Sequence, residues 1–447
     1  MNSLACIIKQ ARDYCGTLSP AKLVFGGYLF YVLSGWLLLC LPFMQKGPGV
    51  KALDNLFVAT SAMSTTGLST VSVWDCYNFL GQLVVLGLIQ LGGIGYMTLG
   101  SFVILSRKSG LSEIRSRVGA MVFSLPVGFN LAHFIRGVIG FTFAIELLGT
   151  MVLYPIFLSV GAPCPLWNAV FHSVSAFCTA GFSLFNNSFE SYATHFWLNS
   201  AIAVLSYLGA IGFIVCLDFW RMVRGEVEHI TLTSKIILYV TFWMTLCGTL
   251  LIFLGEPLIA GMPADERLLA AFFQAMSAMT TVGFNTVGIG TLSKASLLVI
   301  IVLMVIGASP SGTGGGLKST TLSAILGVIR SAIRGEHDVR FWGKVVPLER
   351  IWTAVASLGM YLGVLVIGTY LLELTETSGF EKNLFEASSA LGTVGLSMGI
   401  TSTLTNMGKL IVIFLMFCGR LGPLTLGVAL YFPKGLMSEV SDSDVAL

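Results

Sequence analysis

Charge is scarce in this sequence. Its 25 Lys and Arg and 22 Asp and Glu make up 11% of 447 residues, where a soluble domain carries about 25%. The scarcity is concentrated. No charged residue lies between Lys22 and Lys46, Asp75 and Arg107, Glu190 and Asp218, Lys235 and Glu256, Lys294 and Lys318, or Arg350 and Glu373. Each gap is about the 20 residues that a helix needs to cross a bilayer. Two more apolar stretches, 134–160 and 410–432, are broken only by Arg136 with Glu146 and by Arg420. Eight spans are therefore expected, which excludes an ordinary soluble domain.

Histidine is also sparse, with 5 in the chain, and the 9 cysteines form no CxxC pair. That excludes a metal framework and a disulfide scaffold. Mid-span titratable groups are too few for a catalytic constellation, so the chain is not read as an enzyme. The net charge of +3 needs no nucleic-acid partner, because the basic residues gather in alternate loops. Lys9, Arg12 and Lys22 precede the first span; Arg107, Lys108, Arg115 and Arg117 follow the second. Arg221, Arg224 and Lys235 follow the fourth, and Arg330, Arg334, Arg340, Lys344 and Arg350 the sixth. The positive-inside rule then places both termini in the cytoplasm. The first 22 residues lack a cleavable signal, so the first helix is expected to stay.

What the sequence does have is a fourfold repeat. Ser61-Ala62-Met63-Ser64-Thr65-Thr66-Gly67-Leu68 recurs as Ser175-Ala176-Phe177-Cys178-Thr179-Ala180-Gly181-Phe182. It recurs again as Ser277-Ala278-Met279-Thr280-Thr281-Val282-Gly283-Phe284, and last as Ser389-Ala390-Leu391-Gly392-Thr393-Val394-Gly395-Leu396. Each copy follows a helix too short to cross (53–64, 166–177, 268–279 and 383–391). The Thr-x-Gly then breaks the helix and returns the chain to the side it came from. Non-helical backbone at membrane depth must be buried in protein or line water, so four such loops imply a shared aqueous axis. Glycine permits positive φ, and inward carbonyls can replace an ion's hydration shell. Helix C-termini directed at the axis favour a cation.

The expected fold is an all-α polytopic membrane protein. Four tandem helix–pore-loop–helix repeats, with eight transmembrane and four re-entrant helices, surround one central pore. The boundaries are 1–22 (cytoplasmic), 23–118, 119–228, 229–346, 347–434 and 435–447 (cytoplasmic tail). Every unit begins and ends on the same side, which argues against a carrier of inverted repeats.

The inner spans share Gly92, Gly209, Gly307 and Gly419, small residues that let helices approach closely. The third copy diverges into 307–317, with five glycines and one proline, more than a kink needs. A polar plug of Gly312, Thr313, Gly314, Gly315 and Gly316 beneath the filter would act as a gate. A phosphate loop is disfavoured because Leu317, not glycine, precedes Lys318. In the fourth copy, Arg420 is a mid-span charge and by default a functional one. It could hold plug carbonyls, raise an electrostatic barrier, or tether helices. Glu146, with Arg136 nearby, is assigned to packing or a subunit contact.

These signatures, their spacing and the third-unit loop together resemble the Trk/Ktr/HKT superfamily of K+ transporters. The likeness covers nearly the whole chain and is greatest to KtrB-type membrane subunits of bacterial Ktr systems. Only 22 residues precede the first unit, whereas Trk subunits carry an extra helix pair there. The resemblance implies K+ coordination by Thr65, Thr66, Gly67, Thr179, Ala180, Gly181, Thr281, Val282, Gly283, Thr393, Val394 and Gly395. It also implies a homodimer in the bacterial cell membrane on a cytosolic, nucleotide-binding KtrA-like ring. No organic cofactor on this chain is implied. Na+-dependent flux is compatible with it, and Na+ or ammonium conduction is the alternative.

Overall fold

The computed structural model describes residues 20–47, 49–95, 131–336 and 338–431. The loop 107–117, the boundary at 118/119 and the tail 435–447 lie outside the described residues, as does most of the segment 1–22. The described chain is helical except for one small hairpin, Arg340–Phe341 against Lys344–Val345.

One order of elements recurs four times: a long helix, a short buried helix, then an apolar helix that ends or breaks at a glycine. The long helices are α1 (Pro20–Leu39), α4 (Leu131–Ser159), α8 (Leu232–Gly255) and α12 (Leu348–Thr375). Each contains a segment long and apolar enough to cross a membrane. Phe30, Leu37, Phe143, Met151, Phe242, Leu254, Val366 and Leu374 stand exposed on them, as helices facing lipid would show. The short helices are α2 (Ala52–Met63), α5 (Pro165–Phe177), α9 (Ala264–Thr280) and α13 (Phe380–Gly392). Their C-terminal turns are buried throughout. At roughly 1.5 Å per residue α2, α5 and α13 are well short of the ~30 Å hydrocarbon core, and α9, at 17 residues, falls a few ångströms short of it.

The third kind of helix departs from expectation. The uncharged runs predicted continuous second, fourth and eighth spans, with a break only in the sixth. The fourth, sixth and eighth break in the structure, each near a glycine at positive φ, and the helix of the second ends at such a glycine. The helix α3 (Phe79–Ile94) ends at Gly95, φ 86°. Gly212, φ 89°, separates α6 (Phe196–Ala210) from α7 (Phe213–Val223), which are bent by 95°. The segment 306–318, with Gly316 at φ 74°, divides α10 (Lys294–Val305) from α11 (Ser319–Arg334). Gly422, φ 84°, divides α14 (Asn406–Leu421) from α15 (Pro423–Tyr431). An apolar run reports burial rather than helical continuity, and only the backbone shows where a glycine has left the helix.

The buried apolar residues form four large clusters, and each joins consecutive quarters of the chain. One unites Tyr28 and Val58 with Phe171 and Phe213. Another unites Leu153 and Leu205 with Phe273 and Phe284. A third unites Ile252 and Met279 with Phe385 and Val394. The last returns to the beginning, packing Phe57 and Leu68 against Leu391 and Val412. The quarters are therefore arranged in a closed circle, with a core at every seam.

Candidate functional site

The signature Ser-Ala-x-x-Thr-x-Gly is a helix terminator. The Thr65 N–H reaches the Ala62 carbonyl (3.1 Å) and the Thr66 N–H reaches the Ser61 carbonyl (2.9 Å). The same two bonds recur from Thr179 and Ala180, Thr281 and Val282, and Thr393 and Val394. This is the paired bonding of a Schellman C-cap, which requires a left-handed residue, usually glycine. Here that residue is threonine in all four copies, at φ 53°, 48°, 60° and 50°. A β-branched residue in that region is strained by about 1–3 kcal/mol. Two residues on, Gly67, Gly181, Gly283 and Gly395 are again at positive φ, 92°, 65°, 78° and 96°. Left-handed threonine, one intervening residue and left-handed glycine turn the chain out of the helix and back.

The signature serines fasten the turned segment. Ser61 and Ser389 accept from the N–H groups of Gly67 and Gly395 at 3.1 and 3.0 Å. Ser175 and Ser277 instead donate to the carbonyls of Phe182 and Phe284 at 2.8 and 2.5 Å.

The four segments meet one another in cyclic order. A methyl group added at Gly67 would strike the Ala180 carbonyl oxygen, and one at Gly181 the Val282 oxygen. One at Gly283 would strike the Val394 oxygen, and one at Gly395 the Thr66 oxygen. Each glycine thus lies against the carbonyl that precedes the next glycine, and the fourth returns to the first. The result is a tight ring of backbone. Outside it, a cavity of about 370 Å³ is lined by all four glycines together with Ser69, Thr70, Ser183, Asn285, Ser397 and Thr401.

On the inner side, residues 313–315 lie against all four threonines. The Thr65 hydroxyl donates to the Thr313 carbonyl at 3.2 Å, and the Thr179 and Thr313 hydroxyls are 3.0 Å apart. Cβ atoms on Gly314 and Gly315 would meet the hydroxyls of Thr281 and Thr393, which have no hydrogen-bond partner among the described residues. Arg420 donates to the Thr313 and Gly92 carbonyls and, at 3.0 Å, to the Thr65 hydroxyl. Lys318 donates to the Gly314 carbonyl at 2.9 Å. Both cations line an inner cavity of about 330 Å³ that also holds Gly312, Gly314 and Gly316.

The break between α6 and α7 now has a reason. It frees the Gly209 and Ala210 carbonyls, which accept from the N–H groups of Thr313 and Ser309, both at 3.1 Å. The Phe213 N–H in turn reaches the Ser311 carbonyl at 3.2 Å. The polar backbone of the loop is satisfied by a second broken helix, as burial demands.

The TrkH cation transport protein family matches residues 36–440. The chain belongs to this family. A potassium/sodium uptake protein, NtpJ, from Enterococcus hirae is 33% identical, with 92% of each chain covered. The Ktr system potassium uptake protein B of Vibrio alginolyticus is 32% identical over 95% of this chain and 94% of its own. Its counterpart in Bacillus subtilis is 33% identical, covering 94% and 93%. The crystal structure of the potassium transporter TrkH from Vibrio parahaemolyticus shares the fold, with a TM-score of 0.71 at 18% identity. It covers 91% of this chain and 85% of that one. Family membership makes the chain a multi-pass membrane transport protein, not an enzyme.

The residues singled out from sequence fall into one place. The twelve residues of the four Thr-x-Gly triplets form the ring, residues 312–316 lie beneath or beside it, and Arg420 touches both layers. Glu146 does not pair with Arg136. It is buried and accepts from the Gln90 amide at 2.9 and 3.0 Å, beside Cys178 of the ring's second segment. Sequence reasoning missed Lys318, whose only mark was its place at the end of the glycine run. It also missed the left-handed threonines, although a β-branched residue after each short helix was a visible signal.

Proposed function

We propose that this chain is the K+-selective ion-translocating subunit of a bacterial K+ uptake system. The observation that carries the reading is the closed circle of carbonyls at Thr66, Ala180, Val282 and Val394, locked by four positive-φ glycines. A circle of carbonyl dipoles coordinates a dehydrated monovalent cation and gives nothing to an anion. The four short helices end at this circle, so their C-terminal dipoles add to the attraction. The names of the relatives, which speak of potassium uptake, agree with it.

In this reading the four quarters are tandem helix–pore-loop–helix repeats about one pore. The boundaries are 23–118, 119–228, 229–346 and 347–434. Residues 312–316 are the gate, and the structure is the closed state, with the loop against the filter threonines and Arg420 and Lys318 clasping it. Opening withdraws the loop and breaks the Arg420 and Thr313 contacts. Both termini are cytoplasmic in the cell membrane, and the working unit is a homodimer on a KtrA-like nucleotide-binding ring. Na+-dependent K+ flux is compatible with this reading, and Na+ or ammonium conduction is its alternative, one relative being named for uptake of both potassium and sodium.

The test is rescue of a K+-uptake-deficient bacterium at low K+, with and without a KtrA-like partner, at several Na+ concentrations. Growth of the rescued strain and K+ uptake exceeding Na+ and ammonium uptake are expected. Equal or greater transport of Na+ or ammonium would overturn the assignment of K+. Gly67→Ser sharpens the test, because its side chain would be pressed at the Ala180 carbonyl and distort one quarter of the circle. Discrimination against Na+ should fall by about tenfold, the equivalent of 1.4 kcal/mol. Unchanged discrimination would remove the ring from the selectivity mechanism.

A further inference from the structure

The outer side of the ring has a support that the signatures do not show. Nine residues before each ring glycine, on the short helix behind it, stand Val58, His172, Gln274 and Glu386. The last three are buried polar side chains, and each meets the segment that leaves the ring. His172 gives its Nδ1–H to the Asn168 carbonyl (2.8 Å), which leaves Nε2 to accept from the Ser183 hydroxyl at 2.9 Å. Gln274 meets the Thr286 hydroxyl at 3.2 Å. With its amide oxygen toward Thr286, it also accepts from the backbone N–H groups of Thr286 (3.0 Å) and Val287 (3.2 Å). Glu386 accepts from the Ser397 hydroxyl at 2.8 Å and from the Thr401 hydroxyl. Ser397 also accepts from the Gly399 N–H (3.0 Å), and its hydroxyl oxygen lies 2.9 Å from that of Thr401.

The first quarter has no such support. Val58 cannot accept, and the hydroxyl of Ser69 turns back to the Val71 carbonyl at 2.5 Å. One physical device, an acceptor on the short helix bonded to a hydroxyl just past the ring, thus appears in three quarters of four. Only the fourth makes it an acid. Glu386 is fully buried and has no salt-bridge partner among the described residues. The two hydroxyls it holds, Ser397 and Thr401, line the outer cavity beside Gly395.

We infer that Glu386 is a positioning residue for cation entry: it anchors the segment after Gly395 and, through Ser397 and Thr401, turns the hydroxyl oxygens toward the cavity. A hydroxyl whose proton is engaged by a carboxylate presents its lone pairs elsewhere, and here elsewhere includes the cavity. Anchoring bears on selectivity, because a carbonyl circle discriminates only while its geometry is held. In its ionised form the carboxylate also attracts an entering cation, because it lies in a poorly screened site beside the entrance. The inference rests on the reading of the ring as a K+ filter.

The two contributions separate by substitution. Glu386→Gln keeps an acceptor, as Gln274 does in the third quarter, and removes the charge. Glu386→Leu removes both. In the rescued strain, Glu386→Gln should raise the KM for K+ uptake about threefold to tenfold while keeping discrimination against Na+. Glu386→Leu should raise the KM similarly and lower that discrimination by about tenfold, the worth of one lost charge-assisted hydrogen bond. Should Glu386→Leu fail to insert, Ser397→Ala with Thr401→Val removes the donors instead, and the same loss of discrimination is expected. Wild-type KM and discrimination in an inserted Glu386→Leu protein, or in that double variant, would overturn the inference. Failure of the unsubstituted chain to move K+ would instead overturn the functional reading beneath it.

Discussion

The ring and the layer beneath it are built on opposite rules. In the ring, four quarters make the same turn with the same torsions, and each glycine abuts the next carbonyl. Beneath it, the inner-helix glycines begin alike. Methyl groups at Gly92, Gly209 and Gly419 would strike the carbonyls of Met63, Phe177 and Leu391, each at the end of its own short helix. The third breaks the rule: Gly307 lies instead against the Gly315 carbonyl, because its own loop has come between. Among the described residues, only the second quarter opens a receptor for that loop, and only the fourth sends in a guanidinium. Ion coordination demands near-equivalent ligands around an axis. Control demands one movable part and fixed parts that hold it. In the proposed reading, a single chain of four unequal copies meets both demands, which four identical subunits could not do in this way.

Breaking the equivalence of the ring should have the largest effect. Gly283→Ala places a methyl group on the Val394 carbonyl at a backbone φ of 78°, where a side chain already costs about 1–2 kcal/mol. The backbone cannot yield without shifting the fourth segment. K+ uptake should fall by on the order of a hundredfold, with normal membrane insertion. Wild-type uptake would show that the ring tolerates unequal members and that the comparison is empty.

Disturbing the lower layer should act in the other direction. Deleting Gly312 to Gly316 removes the loop from the threonines, so basal K+ uptake should rise and depend less on a regulatory partner. A fall in uptake with normal insertion would mean that the loop supports the ring rather than closing it. Arg420→Gln is the milder form. It loses charge-assisted bonds worth about 1.5–3 kcal/mol each, while Lys318 and the Gly209 carbonyl still hold the loop. Basal uptake should rise less than in the deletion, by about threefold to tenfold. A decrease would make Arg420 a helix tether, and no change would leave it without a part in closure.

The ring was legible in sequence because its chemistry is local. A terminating threonine, a glycine two residues later and a serine that fastens them all fall within one short motif. The loop was legible for the same reason, since five glycines in an apolar run cannot remain helical. What escaped was everything that depends on two distant segments. The break at Gly212 is unremarkable in sequence, and it becomes necessary only when the loop of the third quarter needs the Gly209 and Ala210 carbonyls. Glu146 and Arg136 are near in sequence, yet Glu146 bonds Gln90 across a seam. His172, Gln274 and Glu386 share a position but not a residue type, so no motif marks them.

A perturbation outside both layers should change stability and nothing else, which makes Glu256 a useful boundary. It follows α8, accepts from the Leu258 N–H at 3.0 Å and from the Ser293 N–H at 2.9 Å, and so ties α8 to the start of α10. Burial pushes its carboxyl up, but these hydrogen bonds and those of nearby serines outweigh it and hold it below the ordinary range. A depressed folded value means that the tie contributes stability above the unfolded value of about 4.3 and loses it as pH falls through the folded one. Glu256→Gln should therefore lower the melting temperature at pH 7, at a cost of about 1 kcal/mol. The difference from the unsubstituted protein should shrink as the pH falls below the unfolded value and through the lower folded one. Tryptophan fluorescence melts across that range would read it, and a difference independent of pH would mean that the charge is not what the backbone donors hold. K+ over Na+ discrimination should not move, because Glu256 touches neither the ring nor the loop. If it did move, selectivity would be spread through the helices, and the division of labour between the two layers would fail.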